Sequence, residues 1–278
     1  GQFIKAQQVL EELPFRDVVT WNVLIKECAQ RGHGHEALHC FERMKIGGFS
    51  PDIVTFICIL KACGSIGAVE KGKQIHDEIV SGGFLKRDVI LCIALVDMYI
   101  KFCLLAKAQD VLQELPVQNA VCSGVETLVS TVKACGRVGA IDKGKQIHDE
   151  IVRCGLQKKN DVALSNALID MYLKCGKPVR AQEVLHEVPF HDIGSWNVLI
   201  AGYVRQGQGE EALGCFQQIR QESLCSDFVT FLCILKACSI AGTIEKGKQI
   251  HEEILSRGLL KKEVILGNAI IDMYAKCG

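Results

Sequence analysis

One block of sequence occurs three times in the chain, with only a few substitutions between the copies. The copies run from Lys61 to Ile79, from Lys133 to Ile151 and from Lys236 to Ile254, and each contains KAC near its start and KGKQIH near its end. Such repetition indicates tandem structural units that pack mainly against their neighbours. The 278-residue chain is therefore predicted to form one array of repeats rather than one or two compact domains.

Each copy predicts a pair of helices. In the first copy, apolar residues recur at the spacing of a single helix face, at Phe56, Ile59, Leu60 and Cys63. Gly64 and Gly67 then interrupt the pattern, and a second apolar stripe runs from Val69 to Ile79. Because neither helix buries its apolar face alone, the sequence predicts an all-α solenoid of antiparallel helix-turn-helix repeats.

Glycine and cysteine recur at fixed repeat positions, which indicates close contact between helices. Glycine inside a helix costs about 1 kcal/mol relative to alanine, yet the second helix of the long unit carries Gly72, Gly144 and Gly247. Cysteine recurs at Cys63, Cys135 and Cys238, and again at Cys175 and Cys277. The fifteen cysteines are odd in number and form no CxxC, so the recurring ones are predicted to be small buried side chains in a reducing compartment.

The charge balance is unusual for a nucleic-acid-binding protein. Thirty-two basic and 32 acidic residues give a formal net charge of zero, whereas proteins of that class are usually basic and gain affinity from phosphate contacts. Any such binding must therefore depend on local patches. Apolar windows such as Val89 to Val96 are too short to cross a bilayer, and no signal-peptide pattern opens the chain, so no membrane partner is predicted.

Aligning the copies divides the chain into medium, long and short units that recur in that order. Residues 1–17 are predicted to be the trailing helix of a short unit, and residues 18–119 hold one unit of each length. Residues 120–124, AVCSG, match the start of a medium unit whose remainder is missing. Residues 125–192 contain a long and a short unit, and residues 193–278 contain a medium unit, a long unit and half of a short one.

The signatures VVTWNVLI, ILKACGSIGAVEKGKQIH and NALIDMYLKCG, in this order, resemble the pentatricopeptide-repeat family in its plant form, which alternates P, L and S motifs. The medium, long and short units correspond to P, L and S, and the resemblance covers essentially the whole chain. It implies a right-handed superhelix that binds single-stranded RNA, one nucleotide per repeat, in mitochondria or chloroplasts. Most members with this alternation direct C-to-U RNA editing. The tetratricopeptide signature W-x2-L-G-x2-Y is not found here.

In this family the fifth and the last residue of a motif select the base. Carried onto this sequence, they predict as base-reading residues Asn22, Asp52, Asn166, Asp192, Asn197 and Asp227, with Asn268 in the partial last unit. The resemblance implies that each Asn and Asp combination favours uracil, and an amide can both donate to and accept from a pyrimidine edge. The predicted register, 5′ to 3′, is uracil, three unread bases, two uracils, one unread base and a pyrimidine.

The unread bases correspond to units without a polar fifth residue. The long units carry Ile57, Val129 and Leu232 there, and the first short unit combines Ile93 with Asn119. The second motif residue, which sandwiches the base in the family, is predicted at Val19, Val54, Ile90, Val229 and Ile265. Glu126, Ala163 and Gly194 depart from that pattern.

Basic residues rise along the same face of the first helices, because steps of four residues stay nearly in line. Phosphate contacts are predicted at Lys101, Lys174, Arg205 and Lys276. The same row holds Lys61, Lys133 and Lys236 in the long units. Acidic residues of the short units could pair with these cations instead, at Asp97, Asp170 and Asp272.

Catalytic and metal sites are not predicted. The three HxE segments, beginning at His76, His148 and His251, resemble half of a zinc deaminase signature, but no PCxxC completes it, so they indicate a repeated helix position. A turn and a helix start explain the only local ligand-like cluster, His33, His35, His39 and Cys40. No enzyme activity or cofactor is expected from these repeats, and chemistry would require a downstream region.

A second function stays open, namely docking of partner proteins. The neutral charge, the aliphatic long units and the missing medium unit all favour it. In the family, long motifs resemble docking sites for small organellar editing cofactor proteins. The sequence therefore predicts single-stranded RNA as the main partner, with editing cofactor proteins as the alternative.

Overall fold

The computed structural model describes residues 17–156, 161–187, 192–261 and 263–277, and every regular element in these ranges is a helix. The helix predicted over residues 1–17 lies, apart from Asp17, outside them. The α-helices are α1 Val18–Gln30, α2 Gly34–Ile46, α3 Ile53–Ile66, α4 Val69–Ser81, α5 Val89–Lys101, α6 Leu105–Glu114, α7 Val117–Cys122, α8 Val125–Val138, α9 Ile141–Arg153, α10 Val162–Lys174, α11 Pro178–Glu187, α12 Ile193–Arg205, α13 Gly209–Gln221, α14 Phe228–Ala241, α15 Ile244–Ser256 and α16 Val264–Cys277. A short 3₁₀ helix, Leu259–Lys261, precedes α16.

The chain forms two compact units, Gly1–Ile147 and His148–Gly278, and each is a stack of helical hairpins. In the first unit, the first helices of successive repeats pack side by side in the order α1, α3, α5, α8, while α2, α4 and α6 form a second layer. The second unit repeats this plan with α10, α12, α14 and α16 in one layer and α11, α13 and α15 in the other. The all-α repeat fold predicted from the sequence is thus confirmed.

Aspartates set the start of most first helices. Six of them, Asp17, Asp52, Asp88, Asp161, Asp192 and Asp227, each accept a hydrogen bond from the backbone N–H three residues later. This bond satisfies a helix N–H that has no partner within the helix. At α8 the preceding residue is instead Gly124, with φ of +96°, and no side-chain cap is present. The one first helix of the first unit that lacks an aspartate cap among the described residues therefore starts directly after the 120–124 segment.

At the junction around the 120–124 segment, a buried lysine on α9 binds the end of α6. Lys143 is only 4% exposed, and its Nζ donates to the carbonyls of Gln113, at 3.2 Å, and Leu115, at the end of α6. Burial lowers the pKa of Lys143. In the first long repeat the matching Lys71 pairs with Glu42 of the medium repeat's second helix. Where that helix is missing, the lysine instead satisfies carbonyls that α6 leaves without partners.

The repeated cysteines and glycines lie at helix contacts. Cys63, Cys135 and Cys238 are fully buried, and Cys175 and Cys277 are half-buried. A Cβ added at Gly72 would lie 2.7 Å from Met98 Sδ, and one at Gly247 would lie 2.4 Å from Met273 Sδ. Both glycines therefore allow the first helix of the next short repeat to approach closely, as their recurrence predicted.

The repeated histidines join each long repeat to the short repeat that follows. The ring Nδ1 atoms of His76, His148 and His251 lie 2.7, 2.9 and 3.2 Å from the hydroxyls of Tyr99, Tyr172 and Tyr274. Each pair of rings also meets edge to face. The HxE segments thus hold a packing contact. The described ranges contain no cluster of three or more His, Cys, Asp or Glu side chains suited to a metal, including at His33, His35, His39 and Cys40.

Burial of these histidines predicts that stability falls in mild acid. Burial lowers the pKa of His148, which is fully buried, and that of His76. Their stabilising effect is complete above the ordinary pKa of about 6.5, and is lost as pH falls below it, by at most about 1.4 kcal/mol per pH unit for each histidine. We expect the urea midpoint to drop between about pH 7.5 and 5.5, and His148→Gln to reduce the drop. An equal drop in the variant would contradict this.

Candidate nucleic-acid interface

In the first unit, a fifth-position asparagine and a last-position aspartate meet across two repeats. Asn22, on α1, is 7% exposed, and its Nδ2 donates to Asp52 Oδ1 at 2.9 Å and Oδ2 at 3.1 Å. Asp52 precedes α3 and is held there because its Oδ1 accepts the Thr55 N–H at 2.8 Å. The helix cap therefore fixes the carboxylate, and the carboxylate fixes the amide.

The second unit contains the same arrangement at its medium-to-long junction. Asn197, on α12, is 7% exposed and donates from Nδ2 to Asp227 Oδ1 at 3.0 Å. Asp227 precedes α14 and accepts the Thr230 N–H at 2.8 Å. Two copies with matching partners and distances show that this geometry is a property of the junction between a medium and a long repeat.

Both carboxylates are held ionised. Burial raises the pKa of Asp52 and of Asp227, but the hydrogen bonds that each accepts from the threonine and the asparagine outweigh burial and leave both pKa values lowered. A carboxylate is then only an acceptor, so the amide atom beside it must be the NH2 group. With the NH2 group placed beside the carboxylate, the positions of the amide oxygen and of the second N–H are also fixed.

The third predicted pair is not joined. Asp192 caps α12 by accepting the Ser195 N–H at 2.9 Å, yet no hydrogen bond within the described ranges connects it to Asn166. Asn166 Oδ1 is buried and has no hydrogen-bond partner among those residues. Asn268 on α16 is exposed, and its partner position lies past Gly278. In the first short repeat, Asn119 donates instead to the Lys86 carbonyl at 2.8 Å.

Aliphatic side chains lie open to solvent next to the asparagines. The five residues of the second motif position are 43–65% exposed, namely Val19, Val54, Ile90, Val229 and Ile265. Residues two and five of one helix are neighbours on its surface, since three residues complete almost a turn. We call this exposed side of the first helices the first-helix face. It offers apolar contacts beside polar groups, as a planar base requires.

Most of the cations predicted to bind phosphate are already in ion pairs. Asp170 contacts Lys174 at 2.6 Å and Arg205 at 3.2 Å, and Asp272 contacts Lys276 at 2.8 Å. Asp97 pairs with Arg137 of the following long repeat rather than with Lys101. These pairs are exposed or partly exposed and of small energy, so a phosphate could replace them.

The long repeats present a different set of lysines on the same face. Lys61, Lys133 and Lys236 are exposed and form no ion pair within the described ranges. Lys236 also lines a shallow groove of about 340 Å³ in the second unit, together with Asp170, Val198, Arg205 and Cys233. The long repeats therefore supply cations at the first-helix face although their fifth residues are aliphatic.

Sequence reasoning did not single out two threonines at this site. Thr55 and Thr230, the third residues of the long repeats, are fully buried. Their hydroxyls lie 2.5 Å from Asn22 Oδ1 and 2.8 Å from Asn197 Oδ1. The available signal was the letter T that recurs in VVT, IVT and FVT.

The fold and this face define a helical-repeat protein whose first helices present amide and carboxylate groups between exposed aliphatic side chains. The chain belongs to the pentatricopeptide-repeat family. The model described as PPR repeat family matches residues 16–65 and 191–240, and the model described as PPR repeat matches residues 164–192 and 229–259. The family predicted from the sequence is thus confirmed.

Relatives and solved structures agree with this assignment. Pentatricopeptide repeat-containing protein At5g27110 of Arabidopsis thaliana is 34% identical over 99% of this chain and 44% of its own length. The chloroplastic At4g18520 of the same plant is 30% identical over 100% of this chain and 49% of its own length. The chain thus spans about half the length of these relatives. The crystal structure of PPR10 in complex with an 18-nt psaJ RNA element aligns with a TM-score of 0.50 and 19% identity, over 97% of this chain and 45% of that one.

Proposed function

We propose that these repeats bind single-stranded RNA and select bases along the first-helix face. The observation that carries this proposal is the pair of asparagines, Asn22 and Asn197, each fixed by an aspartate and set beside exposed aliphatic side chains. The bases of a single strand expose their pairing edges, and two or three side chains on a helical repeat can address one base. No chemical step is assigned to the repeats.

The fixed amide suits uracil. After donating one N–H to the aspartate, the amide still has a second N–H and an oxygen lone pair. Uracil presents a carbonyl acceptor next to its N3–H donor, which is the complement of that donor and acceptor. Asn22 and Asn197 are therefore proposed to read uracil, with Asp52 and Asp227 as their positioning partners. Asn166 and Asp192 are proposed to read the fifth base of the register, with a weaker preference.

The names of the relatives support a proposal for the wider biological setting. The PPR10 structure includes an RNA element, and several relatives are named chloroplastic or mitochondrial, such as At4g18520 and At1g06140. We place this chain in one of those organelles. The alternation of P, L and S units leads us to propose target recognition for C-to-U editing, with chemistry supplied from outside these repeats.

Salt dependence and sequence preference test the proposal together. We expect an RNA with uracil at the first, fifth and sixth bases of the predicted register to bind more tightly than one with cytosine there, by about 1–3 kcal/mol for each well-read base. The logarithm of its binding constant should also fall linearly with the logarithm of salt concentration. Fluorescence anisotropy measures both, with a duplex of the same sequence as the control. Equal affinity for both single strands would contradict base selection.

A second candidate function is protein docking on the opposite layer. The second helices of the long repeats each expose one large aliphatic side chain at the same position, Val80, Val152 and Leu255, which are 48–52% exposed. Repeated exposed apolar residues are a feature of interaction surfaces. If docking were the main function, RNA affinity would be weak at all salt concentrations and the same for every sequence.

A further inference from the structure

We propose that Thr55 and Thr230 determine how strictly the two medium repeats distinguish uracil from cytosine, by locking the amides of Asn22 and Asn197. The inference deepens the proposed RNA binding and rests on it. The threonines belong to the next repeat along the chain, so each medium repeat would owe part of its selectivity to the long repeat that follows. They are positioning residues, because they act through the asparagines.

The hydroxyl contact is short, buried and repeated. Thr55 Oγ1 lies 2.5 Å from Asn22 Oδ1, and Thr230 Oγ1 lies 2.8 Å from Asn197 Oδ1. The amide oxygen only accepts, so the hydroxyl donates across this contact. The same hydroxyl lies 2.8 Å from the capping carboxylate, at Asp52 Oδ1 and Asp227 Oδ1, so its one proton is shared between the amide and the carboxylate. Each hydroxyl also accepts the N–H of the capping aspartate, at 3.1 Å for Asp52 and 3.2 Å for Asp227. The helix cap therefore holds the hydroxyl in place, and the hydroxyl holds the amide oxygen.

Each asparagine is thus fixed at both ends of its amide. Asp227 accepts a hydrogen bond from Asn197 Nδ2, and Thr230 donates one to Asn197 Oδ1. Asp52 and Thr55 make the same two bonds with Asn22. Rotating the amide by half a turn would place its oxygen against the carboxylate and would break the bond from the hydroxyl to Oδ1. The carboxylate opposes that rotation, because an unmatched buried polar group costs about 1–3 kcal/mol. The threonine contact is the second anchor, since it holds Oδ1 and with it the plane of the amide.

Rotation matters because it would exchange the preferred base. Cytosine carries an amino donor where uracil carries a carbonyl, and an acceptor N3 where uracil has N3–H. A fixed amide that matches uracil therefore meets cytosine with donor against donor and acceptor against acceptor. A freely rotating amide would accept either base. Selectivity between pyrimidines then depends on how firmly the amide is held at both of its ends.

The chain contains its own contrasting case at the short-to-medium junction. There the third residue is Ser195, whose hydroxyl lies 3.2 Å from Asp192 Oδ1. No hydrogen bond within the described ranges links Ser195 to Asn166, and Asn166 Oδ1 is buried without a partner there. Within the described ranges this asparagine lacks both anchors, the carboxylate as well as the hydroxyl. We therefore expect the base that it addresses, the fifth of the register, to be read less strictly than the sixth.

Thr230→Val tests the lock, because valine keeps the shape of the side chain and removes the hydroxyl. We expect the ratio of dissociation constants for cytosine and uracil at the sixth base to fall roughly three- to tenfold, the loss of one hydrogen bond. The ratio at the first base, which Asn22 reads, should not change. Thr55→Val should do the reverse, so either variant suffices if the other does not fold.

Thr20→Val is the matched control. Thr20 makes the same capping contacts with Asp17, at 3.1 Å from its N–H and 2.9 Å from Oδ1, and within the described residues its hydroxyl contacts only Asp17. It should lose cap stability without any change in either base ratio. A wild-type chain that shows no preference at the sixth base would overturn the proposed function. If the preference for uracil at the sixth base persisted in Thr230→Val, or if the fifth base were read as strictly as the sixth, the proposed role of the threonines would be wrong. The proposed RNA binding would still stand.

Discussion

Replacing Gly209 by alanine should lower the free energy of unfolding of the second unit by about 2–3 kcal/mol, the cost of overpacking against a rigid neighbour. Gly209 begins α13, and a Cβ there would lie 2.7 Å from the Ala237 carbonyl oxygen and 2.9 Å from the Ala241 nitrogen. Both atoms belong to the backbone of α14, which cannot rotate aside as a side chain can. The two helices would have to separate, and their contact forms the junction that also carries Asn197 and Asp227.

Gly214→Ala provides the control within the same helix. No atom lies within 4 Å of a Cβ at Gly214, so alanine adds helix propensity without a clash and should stabilise by about 0.5–1 kcal/mol. The chain has two tryptophans, and Trp196 is buried in the second unit. Urea unfolding followed by Trp196 fluorescence in a Trp21→Phe background therefore reports on the relevant unit. Equal shifts for the two glycine variants would contradict the backbone contact.

The repeat fold could be predicted because the pattern of apolar residues is repeated so often. Helix starts are marked by aspartates, and the close contacts of Gly72 and Gly247 are indicated by recurrence in the KGKQIH segment. The close contacts of Gly34 and Gly209 were not predicted, because each glycine follows a turn sequence that contains another glycine and is interpreted as part of that turn. Only the position of the neighbouring helix shows that Gly209 faces backbone and that Gly34 faces the Ile66 side chain and the Ala62 carbonyl.

The residue types of the site and the bond from asparagine to aspartate were predictable, but the threonine contacts and the unjoined third pair were not. Motif positions predict that Asn166 and Asp192 form a pair like the other two, but within the described residues only the two pairs that a threonine completes are joined. The position of a hydroxyl relative to an amide depends on the packing of two repeats, which spacing does not describe. The same holds for Lys143, whose burial follows from the carbonyls left at the end of α6.

The second large effect is expected at the base-reading asparagine. Asn197→Ala should weaken binding to RNA with uracil at the sixth base by about 1–3 kcal/mol, because both the donor and the acceptor of the amide are lost. It should weaken binding to RNA with cytosine there much less. The coupling energy between Asn197→Ala and the change of that base, measured as a double-mutant cycle, should reach about 1 kcal/mol.

Asn22→Ala separates base reading from a general loss of affinity. Asn22 makes the same contacts in the other unit and is equally buried, so its removal should cost similar stability. Combined with a change at the sixth base, Asn22→Ala should act additively, within about 0.5 kcal/mol, because distant sites do not share partners. Coupling should instead appear between Asn22 and the first base. If both asparagines coupled equally to every base, the effect would come from the array as a whole, and the assignment of one base to each repeat would be wrong.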